Sequence, residues 1–435
     1  MVKFYRNKMN YKIWSTDSIT YYLAFITVII IPIYHWFLPP FMILWGVIWM
    51  FEISTRTKDI QQITPYNKFL FILFIIFFAW QIIGMIYSSN PKEGWRNIEL
   101  RLSLILFPLV LISPGNLIRG NNATLLRLFA LSTFFYLVIC FGYAFYRSLN
   151  FQNGILSFSA YSPVTTWNYF YSSELAIFQH PSYLSMYILF SVFIALESFF
   201  ESLVEGKKHY FWLVISVILL VSIYFLSSKA GIFALIITLP FYLFQKSRII
   251  GINKYIGLTI IFGSLILFLV FLTNPRVRDY LKLRSGKEWS EMTLKEGRIT
   301  IWNTVNKIIK RNIVFGVGTG DIQSELNKEY IKTGNVKLAE GNFNAHNQYI
   351  EIMLENGLIG LLLFLSLFGV MIYISIKDAN LIYLMFNIIV FVSFMFESML
   401  NRLAGVSFFS LFSFMLLYAG SNKQNHQIKN NKSDF

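Results

Sequence analysis

Long apolar runs separated by short polar joints dominate the chain. A helix crosses a bilayer with roughly 20 mostly apolar residues. About twelve runs approach that length, near residues 19–34, 36–52, 68–88, 100–114, 124–146, 182–200, 210–226, 229–245, 255–273, 357–376, 378–396 and 402–420. The second and fourth are short or carry proline. Two polar segments are long, from about Arg147 to His180 and from about Thr273 to Asn356. In the second, Ile299, Trp302, Val305, Ile308 and Ile309 recur at spacings of three and four, which predicts an amphipathic helix over 298–311. Its other face carries Arg298, Asn303, Asn306, Lys307 and Lys310, and Gly316, Gly318 and Gly320 end it in a turn. The expected fold is all-α: one polytopic membrane domain over 1–435, about twelve transmembrane helices. A large, mostly helical loop, 274–356, is inserted between the ninth and tenth.

Composition agrees. Hydrophobic residues make up 56% and charged residues 14%, against roughly 25% charged in soluble domains. The net charge of +15 is spread through the joints between apolar runs. Anionic lipid and topology account for that spread better than nucleic acid. With the N-terminus in the cytoplasm, inner joints collect Arg56, Lys58, Lys68, Arg119, Lys207, Lys208, Lys246, Arg248, Lys254 and Lys377. The short outer joints hold far fewer, chiefly Lys92, Arg96, Lys229 and Arg402. The basic start precedes an apolar run with no small-residue cleavage site, so it reads as an uncleaved first span. The single cysteine, Cys140, lies in an apolar run and excludes a disulfide framework by count.

The runs are nearly free of ionisable residues at their centres, which disfavours a proton- or ion-coupled transporter or flippase. Polar chemistry falls instead at outer helix ends. His180 precedes Pro181, Lys229 opens the eighth run, Arg298 starts the amphipathic helix, and His346 precedes the tenth run. Two fixed cations could hold a diphosphate and a histidine could take a proton from an attacking hydroxyl. Each residue also has a plainer reading. His180-Pro181 suits a helix start, Lys229 a snorkelling anchor, Arg298 a solvated face, and His346 a cap. Glu351 and Glu355, one turn apart, read as helix-start charges. No histidine has a second ligand at helical spacing on the outer side, so neither metal nor other cofactor is expected.

Four blocks in order resemble the O-antigen ligase and polymerase superfamily. They are His180-Pro181-Ser182-Tyr183-Leu184-Ser185, Ser227-Ser228-Lys229-Ala230-Gly231, Gly297-Arg298-Ile299-Thr300-Ile301-Trp302 with Asn312 to Gly318, and His346-Asn347-Gln348-Tyr349-Ile350-Glu351 through Gly360. The resemblance implies a metal-independent, inverting glycosyltransferase of the bacterial inner membrane with a periplasm-facing site. Its donor would be an undecaprenyl-diphosphate-linked glycan, and its acceptor the lipid A core or, for a polymerase, another carrier-linked glycan. His346 matches the family's essential histidine and Arg298 a diphosphate-site arginine. Lys229 stands where a second arginine is expected. Lysine neutralises phosphate but lacks the bidentate fork.

Overall fold

A computed structural model describes residues 15–52, 63–152, 154–164, 167–207, 210–250 and 294–418. The predicted run 255–273 and residues 274–293 of the long loop lie outside the described residues. In chain order the helices are α1 (Thr16–Ile33), α2 (Leu38–Glu52), α3 (Pro65–Ile86), α4 (Pro91–Leu100), α5 (Ser103–Leu111), α6 (Asn116–Gly120) and α7 (Asn122–Ser148). Strands β1 (Leu149–Gln152) and β2 (Ile155–Phe158) follow, then α8 (Pro181–Val204), α9 (Tyr210–Leu226) and α10 (Lys229–Ile250). The remainder comprises α11 (Leu294–Arg311), α12 (Ile322–Lys332), α13 (Val336–Glu340), α14 (Gln348–Lys377), α15 (Leu381–Phe394) and α16 (Leu403–Met415).

Six of these, α1, α3, α7, α8, α10 and α14, are long and apolar enough to cross a membrane. Shorter apolar helices cover His35–Phe51, Tyr210–Leu226, Leu381–Phe394 and Leu403–Tyr418. The run predicted at 100–114 becomes α5, only nine residues with Pro108 inside, packed on α3 and α16. Arg101 and Asn97 end the apolar stretch on its N-terminal side by facing polar partners, so the element is a buried half-span.

A helix that is apolar all round belongs in a core. Helices α8 and α16 show it, buried almost without a break from Tyr183 to Leu196 and from Ala404 to Leu416. Phenylalanines interlock them: Phe129, Phe190, Phe408 and Phe412 meet at centroid separations of 4.8–5.8 Å. Such tilted and edge-on contacts add about 0.5–1.5 kcal/mol each beyond area burial. Helices α7 and α9 flank this core and expose Phe135, Val138, Ile139, Val214 and Val217 outward.

The all-α class holds, with one small addition. Strands β1 and β2 form an antiparallel hairpin with Leu149 opposite Phe158 and Phe151 opposite Leu156. The sequence between them is Asn153-Gly154, and Gly154 sits at φ +78°. Asn-Gly between alternating apolar residues is a strong hairpin signal, because both turn positions take positive φ readily.

The long loop builds its own small core. Ile301, Val305 and Ile308 of α11 pack with Ile322, Leu326 and Tyr330 of α12, and with Ala339, Ala345 and Leu354. The amphipathic helix is thus where the periodicity placed it, but its buried stripe is rotated. Ile299 and Trp302 lie partly outside, and Trp302 donates its indole N–H to the Ala345 carbonyl at 2.9 Å.

Helix α14 is broken at Gly357, where φ is +65° and ψ −164°. The break frees backbone groups, and each unpartnered one in an apolar interior is costly. Segment 313–318 satisfies them. Val317 N–H donates to Leu354 O at 2.9 Å and Gly318 N–H to Glu355 O at 3.0 Å, while Leu358 N–H reaches Ile313 O at 2.8 Å. Trp80 of α3 donates to Asn356 O at 3.1 Å. A Cβ at Gly357 would come within 2.2 Å of Val314 O, and one at Gly316 within 2.4 Å of Glu355 O. The glycine run therefore serves as a backbone splice.

Candidate functional site

The site is assembled on the segment between α15 and α16, Met395 to Arg402. Four side chains from three elements grip it. Asn347, which caps α14 through Tyr349 N–H and Ile350 N–H, donates its amide to Met395 O at 3.1 Å. Arg298 of α11 donates to Phe396 O at 3.0 Å. Gln348 accepts from Leu400 N–H at 2.6 Å. Phe233 of α10 lays its ring 5.7 Å from that of Phe396.

His346 sits just before α14 with φ +46°, a left-handed conformation that β-carbon-bearing residues seldom adopt. The turn is held because Asn344 Oδ1 accepts the His346 N–H at 3.0 Å and Glu351 Oε2 accepts the Ala345 N–H at 2.9 Å. It aims the half-buried imidazole at the loop, with Nδ1 3.0 Å from Glu397 Oε1. Burial alone would push the Glu397 carboxyl up. The hydrogen bond and charge of His346, with the charges of His180 and Arg298, reverse that and hold it below the usual carboxylate range. Glu397 is therefore the point that three of the predicted residues face electrostatically.

His180 caps α8, its Nδ1 accepting from Ser182 N–H at 3.3 Å. Lys229 is exposed and opens α10. The two helix starts touch: Ser185 and Ser228 hydroxyls are 2.9 Å apart, and a Cβ on Gly231 would lie 2.6 Å from Ser185 Cβ. Phe233 is one turn beyond Lys229 on the same helix face, which sets Lys229 one turn above the Phe396 contact. His346 and Arg298 thus share one short segment, and His180 and Lys229 stand on adjoining helix starts at the same end of the bundle.

Two residues differ from their expected role. Glu351 and Glu355 are not solvated helix-start charges; both are buried. Glu351 accepts from Asn401 at 2.8 Å and from Ser398 at 3.2 Å. Glu355 pairs with buried Arg101 at 2.5 Å. Arg101 also donates to Gln81 at 3.0 Å, to Asn401 at 2.9 Å and to Leu400 O at 3.4 Å. Glu397 and Arg101 escaped the sequence reading. Glu397 is a lone acid in an apolar stretch, and its distance from His346 along the chain hides the pairing. No group of three or more His, Cys, Asp or Glu suited to a metal ion occurs among the described residues.

A helical bundle with six membrane-length helices among the described residues thus carries Arg298, His180 and a carboxylate-backed imidazole at one end. Residues 214–365 match the family model described as O-antigen ligase. Over that stretch, about a third of its length, the chain is similar to the O-antigen ligase family. The match includes Lys229, Arg298 and His346 and ends before Glu397. No curated protein matches the chain.

Proposed function

We propose that this protein moves a glycan from an undecaprenyl-diphosphate carrier to an acceptor sugar hydroxyl on the outer, periplasmic side of the bacterial inner membrane. The observation that carries this reading is the 3.0 Å approach of His346 Nδ1 to Glu397 Oε1, within the field of Arg298 and His180. An Nδ1–H donated to the carboxylate leaves Nε2 free to accept a proton. The acceptor oxygen then attacks the anomeric carbon while its proton passes to His346 Nε2. The bond from that carbon to the diphosphate breaks, and the electron pair leaves with the diphosphate. A single displacement of this kind inverts the anomeric centre and needs no metal.

Arg298, Lys229 and His180 are the groups assigned to the diphosphate. Fixed donors aimed at developing negative charge are each worth about 10²–10³ in rate. Bond energy arrives with the donor, which suits a site outside the reach of cytoplasmic nucleotides. The acceptor is assigned as the lipid A core, as for a ligase; a polymerase would use a carrier-linked glycan at the same site.

The test is His346→Ala in a deletion strain and in purified, reconstituted protein. Transfer is expected to fall by about 10²–10⁴, with insertion and expression unchanged. Near-normal glycan transfer by this variant would reject the assignment. Glycan profiles of the deletion strain separate the acceptors. Carrier-linked polymer that no longer reaches lipid A denotes a ligase, and single repeats on lipid A denote a polymerase. Reconstituted protein that moves donor across vesicles without joining sugars would identify a flippase.

A further inference from the structure

We propose that the β1–β2 hairpin is a membrane-seated element, lying at the interface with one face in the acyl chains. Its register sets Leu149, Phe151, Leu156 and Phe158 on one face and Asn150, Ile155 and Ser157 on the other, with Ile155 beside the turn and the Ser157 hydroxyl donating to Asn150 O at 3.3 Å. The apolar face is largely uncovered by the rest of the chain: Phe151 is 74% exposed and Leu156 64%. An isolated two-stranded hairpin is marginal in water, and four uncovered large apolar side chains make it more so.

What covers this face is indicated by its continuation. Phe158 lies 5.9 Å from Phe145 of α7. Phe145 and Tyr146 extend the outward-facing strip of Phe135, Val138 and Ile139 on the same helix, one of the six able to span a membrane. The hairpin therefore folds back beside the last turns of α7 and enlarges its lipid-facing surface. Depth is marked by Arg147, which pairs with Glu174 at 2.8 Å and stacks 4.1 Å over Tyr169. Its guanidinium also lies 5.7 Å from the Tyr143 ring, and Tyr146, Tyr161 and Trp167 of the same and following segments are exposed. Arginine with Tyr and Trp is the composition of the headgroup boundary. At about 1.5 Å per residue the 27 residues of α7 span about 40 Å, more than the roughly 30 Å hydrocarbon core. The helix thus delivers the hairpin to the interface, where its unpaired strand edges still meet polar groups.

The inference is independent of the glycosyl-transfer reading, and its test uses no substrate. In full-length protein with Cys140→Ala, single cysteines replace Phe151, Leu156, Asn150 or Ser157, carry a small fluorophore, and are reconstituted in phosphatidylethanolamine–phosphatidylglycerol vesicles. Quenching by nitroxide-bearing acyl chains is expected to be several-fold stronger at 151 and 156 than at 150 and 157, and iodide quenching the reverse. A photo-crosslinking residue at 151 should yield lipid adducts. Equal iodide quenching at all four positions overturns the proposal. So does protection of 151 and 156 from both quenchers with protein–protein crosslinks at 151, which would identify a second copy as the partner.

Discussion

Glu397 and His346 act as one unit, and their chemistry fixes the sign of a pH effect. A carboxyl held below its ordinary range in the folded protein adds stability above that range, and loses it as pH falls through the depressed value. Wild-type protein in detergent should therefore lose melting temperature as acid protonates Glu397. Glu397→Gln should lower stability at neutral pH and flatten that acid-side decline. An unchanged slope would show that the carboxylate is not tuned by its neighbours. In transfer assays Glu397→Gln should cost less than His346→Ala, because it removes the imidazole's orienting partner and leaves the proton acceptor. At Lys229 the expected order of rates is Arg at least equal to Lys, with Gln lower by about 10²–10³. The imidazole and two cations were legible because each interrupts an apolar pattern beside a helix start. Glu397 was not, because its role depends on a contact that closes only when α15 and α16 turn back on α14.

Among elements, the break in α14 makes the sharpest contrast between glycines. Gly357 occupies a backbone region nearly restricted to glycine and abuts Val314 O. Gly357→Ala should destabilise by at least about 1–3 kcal/mol. Gly142, in α7 with open space around it, should gain up to about 1 kcal/mol on becoming Ala. Melting temperatures of the two purified variants decide the matter; equal shifts would contradict the splice. The sequence marked the glycine run as a turn but could not show that it repairs a helix forty residues further on. The same limit applies to Arg101, which lies within the predicted run 100–114 with nothing local to mark its partner. Arg101→Met strands a buried carboxylate and should cost about 3–5 kcal/mol, most of it recovered by adding Glu355→Leu. A double-mutant cycle with no coupling would refute that pairing.

At the scale of the molecule, apolar run length gave most of the bundle, because any long stretch without charge must find lipid or core. It erred where length and burial part company. Helix α5 is apolar yet too short to span, and α14 begins nine residues before the break from which its membrane run was counted. The two ends of the bundle are pinned differently. Tyr66 with Asp378, Arg127 with Glu201 and Lys246 with Glu197 tie one end by side-chain pairs. The site end adds to its side-chain pairs three bonds to backbone carbonyls of the 395–402 segment.

The splice at Gly357 also divides α14 into two unlike parts. The stretch from Leu358 to Lys377 is uniformly greasy and can partition into lipid. The portion before it carries two carboxylates and is met by residues 313–318 and Arg101. The end of the bundle that holds His346 is thus closed by segments outside the apolar run of its own helix.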